Sequence, residues 1–317
     1  MVSEARKYLL AEVASKYYKA RQTQEEIALA LGYSRSAISR LLSEAEQEGI
    51  ISVEINYPMQ RDDALEKGLK QKYGLKDALV VKTGAITYPE KVHMTGHLGA
   101  LYIEPMLTDD CVVDISWGLS VYEIINALPY NPVKNSKIVQ VIGASGVKSN
   151  PKVDGFELAR LMAEKMHSTY YFLNAPLVVD SPESRAVIMN LESIKRTLDL
   201  AYHATLGIFG IGNITLDKDI SSVYRTGFLS EEEIRVVASE GAVANVCAWA
   251  INELGEVIDC DVNRRMIAAD FATLRDSTTR IIGVAAGERK ARAIQAVLRS
   301  KFLDVLITDS TAAELLL

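Results

Sequence analysis

The sequence predicts an α/β fold, a mostly parallel sheet with helices on both faces, preceded by a small all-helical module. Three observations predict it. Over residues 1–56 apolar residues recur at helical spacing and are punctuated by caps and glycines. From Ala78 onward short β-rich runs alternate with longer amphipathic stretches, the pattern of a wound parallel sheet. Several runs end in Gly or Ser, where open α/β sheets place their ligands.

The 317 residues suit two domains or one large one, and 49% hydrophobic with 24% charged residues supports a large core. The expected division is a helical module at 1–56, a linker helix at 57–76 and an α/β domain at 77–317. The formal net charge of -6 counts mildly against a nucleic-acid binder, but binding depends on local charge. Cys111, Cys247 and Cys260 form no C-x-x-C pair, so they are read as buried thiols of a reducing compartment. The first residues contain no uncharged apolar stretch of signal-peptide type, and no apolar run approaches membrane-spanning length. A cytoplasmic protein without membrane contact is expected.

Helix one is predicted from about Glu4 to Lys19, with Leu9, Leu10, Val13 and Tyr17 on one face. Thr23-Gln24-Glu25-Glu26 is a capping box that opens helix two, and Gly32 closes it. Ser34 caps helix three, whose inner face is Ala37, Ile38, Leu41 and Leu42. Gly49 stops it, and Ile50–Ile55 follows as a short strand. Residues 58–75 form a charged connector helix with Leu65, Leu69 and Tyr73 spaced by four, a candidate dimer contact.

Strands are predicted at Ala78–Lys82, Val112–Ser116, Ile138–Gly143, Tyr170–Leu173, Leu206–Gly212, Ile281–Ala285 and Val305–Thr308. Helical patterns between them include Met94–Met106, Val121–Leu128, Phe156–Met166, Glu231–Glu240 and Lys290–Arg299.

Two helices joined by a tight glycine-containing turn fit a helix-turn-helix, in which the first turn of the second helix faces base edges. The DNA-facing candidates are Thr23, Ser34, Arg35, Ser36, Ser39 and Arg40. Arginine can fork to guanine, and serine suits phosphates or either base. A helical hairpin used only for dimerisation is the plainer alternative. The arginine- and serine-rich first turn favours DNA, provided the module's many glutamates are segregated from it.

The residues Thr23-Gln24-Glu25-Glu26-Ile27-Ala28, Leu31-Gly32, Ser36-Ala37-Ile38-Ser39-Arg40-Leu41-Leu42 and Gly49-Ile50 resemble the N-terminal module of the SorC family of bacterial sugar-operon regulators. The resemblance continues through Leu69–Leu75, Ser116-Trp117-Gly118, Gly210-Ile211-Gly212, Gly241-Ala242-Val243, Gly287-Glu288-Arg289-Lys290, Val305–Asp309 and Thr311-Ala312. It spans nearly the whole chain in the family's order and is nearest to its polyol and sorbose branch. It implies a Rossmann-like effector domain akin to sugar-phosphate isomerases, a sugar or sugar-phosphate effector, and dimers or a homotetramer on a palindromic double-stranded operator.

From the residues alone, Ser116, Gly118 and Ser120 form a strand-to-helix turn whose amides and hydroxyls favour an anion. Gly143, Ser145 and Gly146 repeat the arrangement after the next strand, and Gly210 and Gly212 end a third. One such loop is most simply a tight turn; three in one sheet suggest a shared pocket. No P-loop and no complete dinucleotide fingerprint is present, so no cofactor and no metal are expected. On spacing alone Lys290 is a solvated helix residue, but the resemblance implies an effector-contacting lysine there. The family's G-A-V-G-[DE] motif reads Gly241-Ala242-Val243-Ala244-Asn245, so Asn245 can bond a hydroxyl but lacks the family's charge. Lys148 is a minor candidate for a Schiff base with an aldehyde sugar. The competing readings are a sugar-phosphate isomerase or deaminase, for which Asp114 and the scattered His93, His97, His167 and His203 are poor general bases, and a ligand-free architectural DNA binder.

Overall fold

The protein is described from a computed structural model, over residues 4–51, 59–146, 153–217, 221, 223 and 226–317. The chain divides into two compact units, Met1–Pro58 and Met59–Leu317.

The first unit holds α1 (Glu4–Ala14), continued by a π-helical turn Ser15–Lys19, then α2 (Gln24–Leu31) and α3 (Arg35–Gln47). The capping box forms: the Thr23 amide donates to the Glu26 carboxylate at 2.8 Å and the Glu26 amide to the Thr23 hydroxyl at 3.3 Å. Gly32 ends α2 with φ +71, the left-handed conformation that glycine adopts at little cost. Leu10, Val13, Ile27, Ile38, Leu41, Leu42 and Ala45 close a single small core. Each large aliphatic residue there contributes about 1.5–3 kcal/mol. Beyond Ile51, the expected strand Ile50–Ile55 lies outside the described residues.

In the second unit the strands are β1 (Asp77–Val81), β2 (Val112–Ile115), β3 (Lys137–Gln140), β4 (Thr169–Tyr171), β5 (Leu206–Asn213), β6 (Ala242–Val246), β7 (Trp249–Asn252), β8 (Ile281–Val284) and β9 (Val305–Asp309). The main sheet runs β1-β9-β8-β5-β2-β3-β4, all parallel. Without β1, this is the doubly wound order, and its direction reverses between β2 and β5. β5 runs on past its parallel partners and pairs antiparallel with β6, which pairs with β7.

The strands are near-continuous apolar runs because both faces are covered. Ala78, Val80, Val112, Val139, Phe209, Ile281 and Leu306 share one core with α4 (Asp63–Tyr73), α9 (Glu192–Ala201), α13 (Ala291–Arg299) and α14 (Ser310–Leu316). The alternate residues Leu79, Val113, Ile115, Ile138, Ile282 and Ile307 are equally buried and point the other way. That face carries α5 (Tyr88–Ile103), α6 (Leu119–Ala127) and α7 (Gly155–Met166). The remaining helices are α8 (Pro182–Met189), α10 (Glu231–Ser239), α11 (Asp261–Arg265) and α12 (Phe271–Ser277).

Two features depart from the sequence reading. The linker helix is α4, and its Leu69 and Tyr73 are spent inside the second unit's core. Glu66 anchors it there by accepting from the Val80 amide at 2.9 Å and pairing with Arg61 at 2.7 Å. The β6–β7 hairpin was not expected. Its turn residues Cys247 and Ala248 both have positive φ, a conformation usually signalled by Asn or Gly.

Candidate functional site

On α3, Ser34, Arg35, Ser36, Ser39 and Arg40 are exposed, while Ile38, Leu41 and Leu42 are buried. Ser34 caps the helix by accepting from the Ala37 amide at 3.2 Å and lies 3.1 Å from the Ser36 hydroxyl. Arg40 folds back on the Ser36 carbonyl at 3.4 Å. Thr23 is exposed, but its hydroxyl is engaged with Glu26. Two of the module's acids are engaged by partners of their own. Glu26 serves the cap, and Glu44 receives a two-pronged contact from Arg6 at 2.6 and 3.0 Å. The Arg6 guanidinium holds the Glu44 carboxyl below its ordinary range.

In the second unit, the effector candidates converge where β2 and β5 lie side by side. Ser116 is fully buried, and its hydroxyl accepts from the Gly210 amide at 3.4 Å. A Cβ on Gly210 would stand 3.2 Å from the Trp117 carbonyl, so β5 and the β2 turn are in close approach. Gly118, with φ +112, opens α6 without a side-chain cap, and the first-turn amides of a helix have no partner within the helix itself. Gly212 is the register partner of Asn245 on β6, and Asn245 is buried. Lys290 is buried too; its ammonium donates to the Ile211 carbonyl at 3.1 Å. Ser116, Asn245 and Lys290 thus meet β5 over Gly210–Gly212, next to the N-terminus of α6.

The third loop stands differently. Gly143 is required by close approach, because a Cβ would lie 2.6 Å from the Pro176 carbonyl. The Ser145 hydroxyl donates to Asp154 at 2.6 Å, and Asp154 also caps α7. Gly146 is exposed with φ +95. The link from this loop to the crevice is the Gly118 amide, which donates to the Val153 carbonyl at 3.0 Å. Lys148 lies outside the described residues.

A cavity of about 580 Å³ lies beside this cluster, lined by Asn213, Val243, Glu253, Arg289 and Arg292 among others. It includes none of the effector candidates. Its arginines are already paired, Arg289 with Asp217 and Arg292 with Glu253. The cluster at the β2–β5 reversal, where open sheets bind ligands, is the better candidate.

Sequence reasoning missed the Ile211 carbonyl as the anchor of Lys290, since no local signal pairs residues so far apart. It also missed the state of Asp114, whose two carboxyl oxygens are buried with no hydrogen-bond partner among the described residues. Burial raises this carboxyl well above the ordinary aspartate range. Cys111, Cys247 and Cys260 are buried free thiols. Among the described residues no helix is long and apolar enough to cross a membrane, and no group of His, Cys, Asp or Glu could hold a metal ion.

Residues 57–317 match the Sugar-bind family, described as a sugar-binding domain, and residues 16–52 match a winged helix-turn-helix DNA-binding family. The chain is 30% identical to the deoxyribonucleoside regulator of Bacillus subtilis (strain 168), over 97% of this chain and 96% of that protein. It is 31% identical to the transcriptional regulator LsrR of Enterobacter sp. (strain 638), over 98% and 92% respectively. The crystal structure of the full-length sorbitol operon regulator SorC from Klebsiella pneumoniae superposes with a TM-score of 0.74 at 26% identity, covering 100% of this chain and 99% of that one. These relatives are regulators, and the isomerase alternative finds no support among them. The chain belongs to the SorC family of sugar-responsive regulators: it is a DNA-binding transcriptional regulator that joins a helix-turn-helix to an α/β sugar-binding domain.

Proposed function

We propose that this regulator binds a small phosphorylated sugar in the crevice between the C-terminal ends of β2 and β5, and that binding changes its affinity for a carbohydrate-utilisation operator. The observation that carries the proposal is the α6 N-terminus, opened by Gly118 without a side-chain cap beside buried Ser116. First-turn helix amides and the positive end of the helix dipole favour a phosphate. Lys290 supplies a cation, and Asn245 can donate to and accept from sugar hydroxyls. Relatives named for deoxyribonucleosides and for a sorbitol operon support a carbohydrate effector.

The exposed face of α3, with Arg35, Ser36, Ser39 and Arg40, is the operator-reading surface of this proposal. The regulator acts in the cytoplasm as a dimer or homotetramer, which presents two such helices to the half-sites of a palindrome. The test is fluorescence anisotropy of the full chain on an operator obtained by selection from random duplexes. A phosphorylated sugar should shift the operator affinity while its unphosphorylated parent does not. Operator affinity indifferent to every sugar phosphate tried would remove the effector half.

A further inference from the structure

We infer that Lys91 and Asp309 are positioning residues that hold the Gly287–Lys290 turn, and with it Lys290, in place for the effector. This rests on Lys290 being an effector contact.

The turn follows β8 and has two anchors. At its start the Gly287 amide donates to the Asp309 carboxylate. Asp309 ends β9 and is fully buried. It is itself fixed by the Thr83 hydroxyl at 3.1 Å and the Thr311 amide at 2.9 Å. Gly287 has φ +91, and a Cβ there would lie 3.1 Å from the Tyr88 ring, so the backbone is pressed against α5. One residue on, Glu288 accepts from the Lys91 ammonium at 2.8 Å and from the Thr311 hydroxyl at 3.1 Å. Lys91 also donates to the Thr311 hydroxyl at 3.1 Å.

Lys91 projects from the first half of α5 and is only 7% exposed. A lysine buried to that degree keeps its charge by pairing, and its carboxylate partner here is Glu288. Hydrogen bonding from Lys91 and from the Glu288 amide pushes the Glu288 carboxyl down to about 2, so Glu288 stays ionised throughout the neutral range. The turn is short, and the Lys290 amide closes it by donating to the Gly287 carbonyl at 2.9 Å. Fixing Gly287 and Glu288 therefore fixes where the Lys290 side chain starts. The Lys290 ammonium then reaches the Ile211 carbonyl on the far side of β8.

The test is hydrogen exchange across residues 286–291 of the full chain without ligand, in wild type, Lys91→Met, Lys91→Arg and Glu288→Gln. Loss of this anchor should speed exchange in the segment about tenfold in Lys91→Met and Glu288→Gln. Strands β2 and β5 should keep their wild-type protection, and Lys91→Arg should return the segment toward the wild-type rate. Unchanged exchange in the segment, or equal acceleration throughout the sheet, overturns the inference. If Lys91→Met does not fold, Glu288→Gln alone decides. The effector reading fails on a separate measurement, the ligand response of Lys290→Ala, so the two failures are distinguishable.

Discussion

Lys290 donates its ammonium to the carbonyl of Ile211 at 3.1 Å. Ile211 sits where β5 changes partners: its ladder with β8 ends at Gly210–Val284 and its ladder with β6 begins at Ile211–Val246. The lysine therefore lies at the junction of parallel sheet and hairpin, one residue from the Gly212–Asn245 pair. Lys290→Ala should weaken sugar-phosphate binding about tenfold or more, since a charge-assisted hydrogen bond contributes about 1.5–3 kcal/mol. Titration calorimetry of the two proteins with one sugar phosphate checks this; equal affinities would remove Lys290 from the site.

Arg35 and Arg40 are exposed on α3, whose Ile38, Leu41, Leu42 and Ala45 are buried. The double change Arg35→Ala, Arg40→Ala should reduce operator affinity by about 2–6 kcal/mol, at about 1–3 kcal/mol per base-reading arginine. The melting temperature and the sugar response should not change. Anisotropy on the selected operator measures the loss, and undiminished affinity would move the recognition surface off α3.

Asp114 offers a test of the core. Its buried carboxyl is neutral in the fold at pH values where an exposed aspartate, with a pKa of about 3.9, is ionised. The folded state binds the extra proton. Stability due to this group is thus complete below about pH 4 and falls as pH rises toward the folded value. Asp114→Asn removes that fall. Its melting temperature should exceed wild type by a margin that widens from pH 5 to pH 8; a constant or negative margin across that range contradicts the assignment.

Gly143→Ala places a methyl 2.6 Å from the Pro176 carbonyl. Backbone has to move, so a loss of about 1–3 kcal/mol is expected from overpacking. Urea unfolding at fixed pH provides the comparison. An unchanged midpoint would mean the loop after β3 yields more readily than its packing suggests.

Much of this architecture was legible in the sequence because local signals agree with the fold. Thr23 with Glu26, Gly32, and Ser34 mark the helix boundaries of the first unit, and the caps they predict form. The strands that are buried on both faces appear as Val- and Ile-rich runs. What escaped is non-local or lacks a local signal. The β6–β7 turn uses Cys247 and Ala248 at positive φ, where composition gives no cue. The partner of Ser145 is also non-local: its hydroxyl donates to Asp154 nine residues on. The glutamates that argued against DNA binding include Glu26 and Glu44, one occupied in a cap and the other by Arg6.

A thermal-shift screen of the full chain against matched pairs of phosphorylated and unphosphorylated sugars and polyols probes the effector site most directly. A ligand that binds only the folded state adds about 2.7 kcal/mol at a hundredfold excess over Kd, so a true effector must raise the melting temperature. At least one phosphorylated compound should do so where its parent does not. A well-folded chain that responds to none of them, or equally to both members of each pair, would contradict a phosphate bound at the α6 N-terminus.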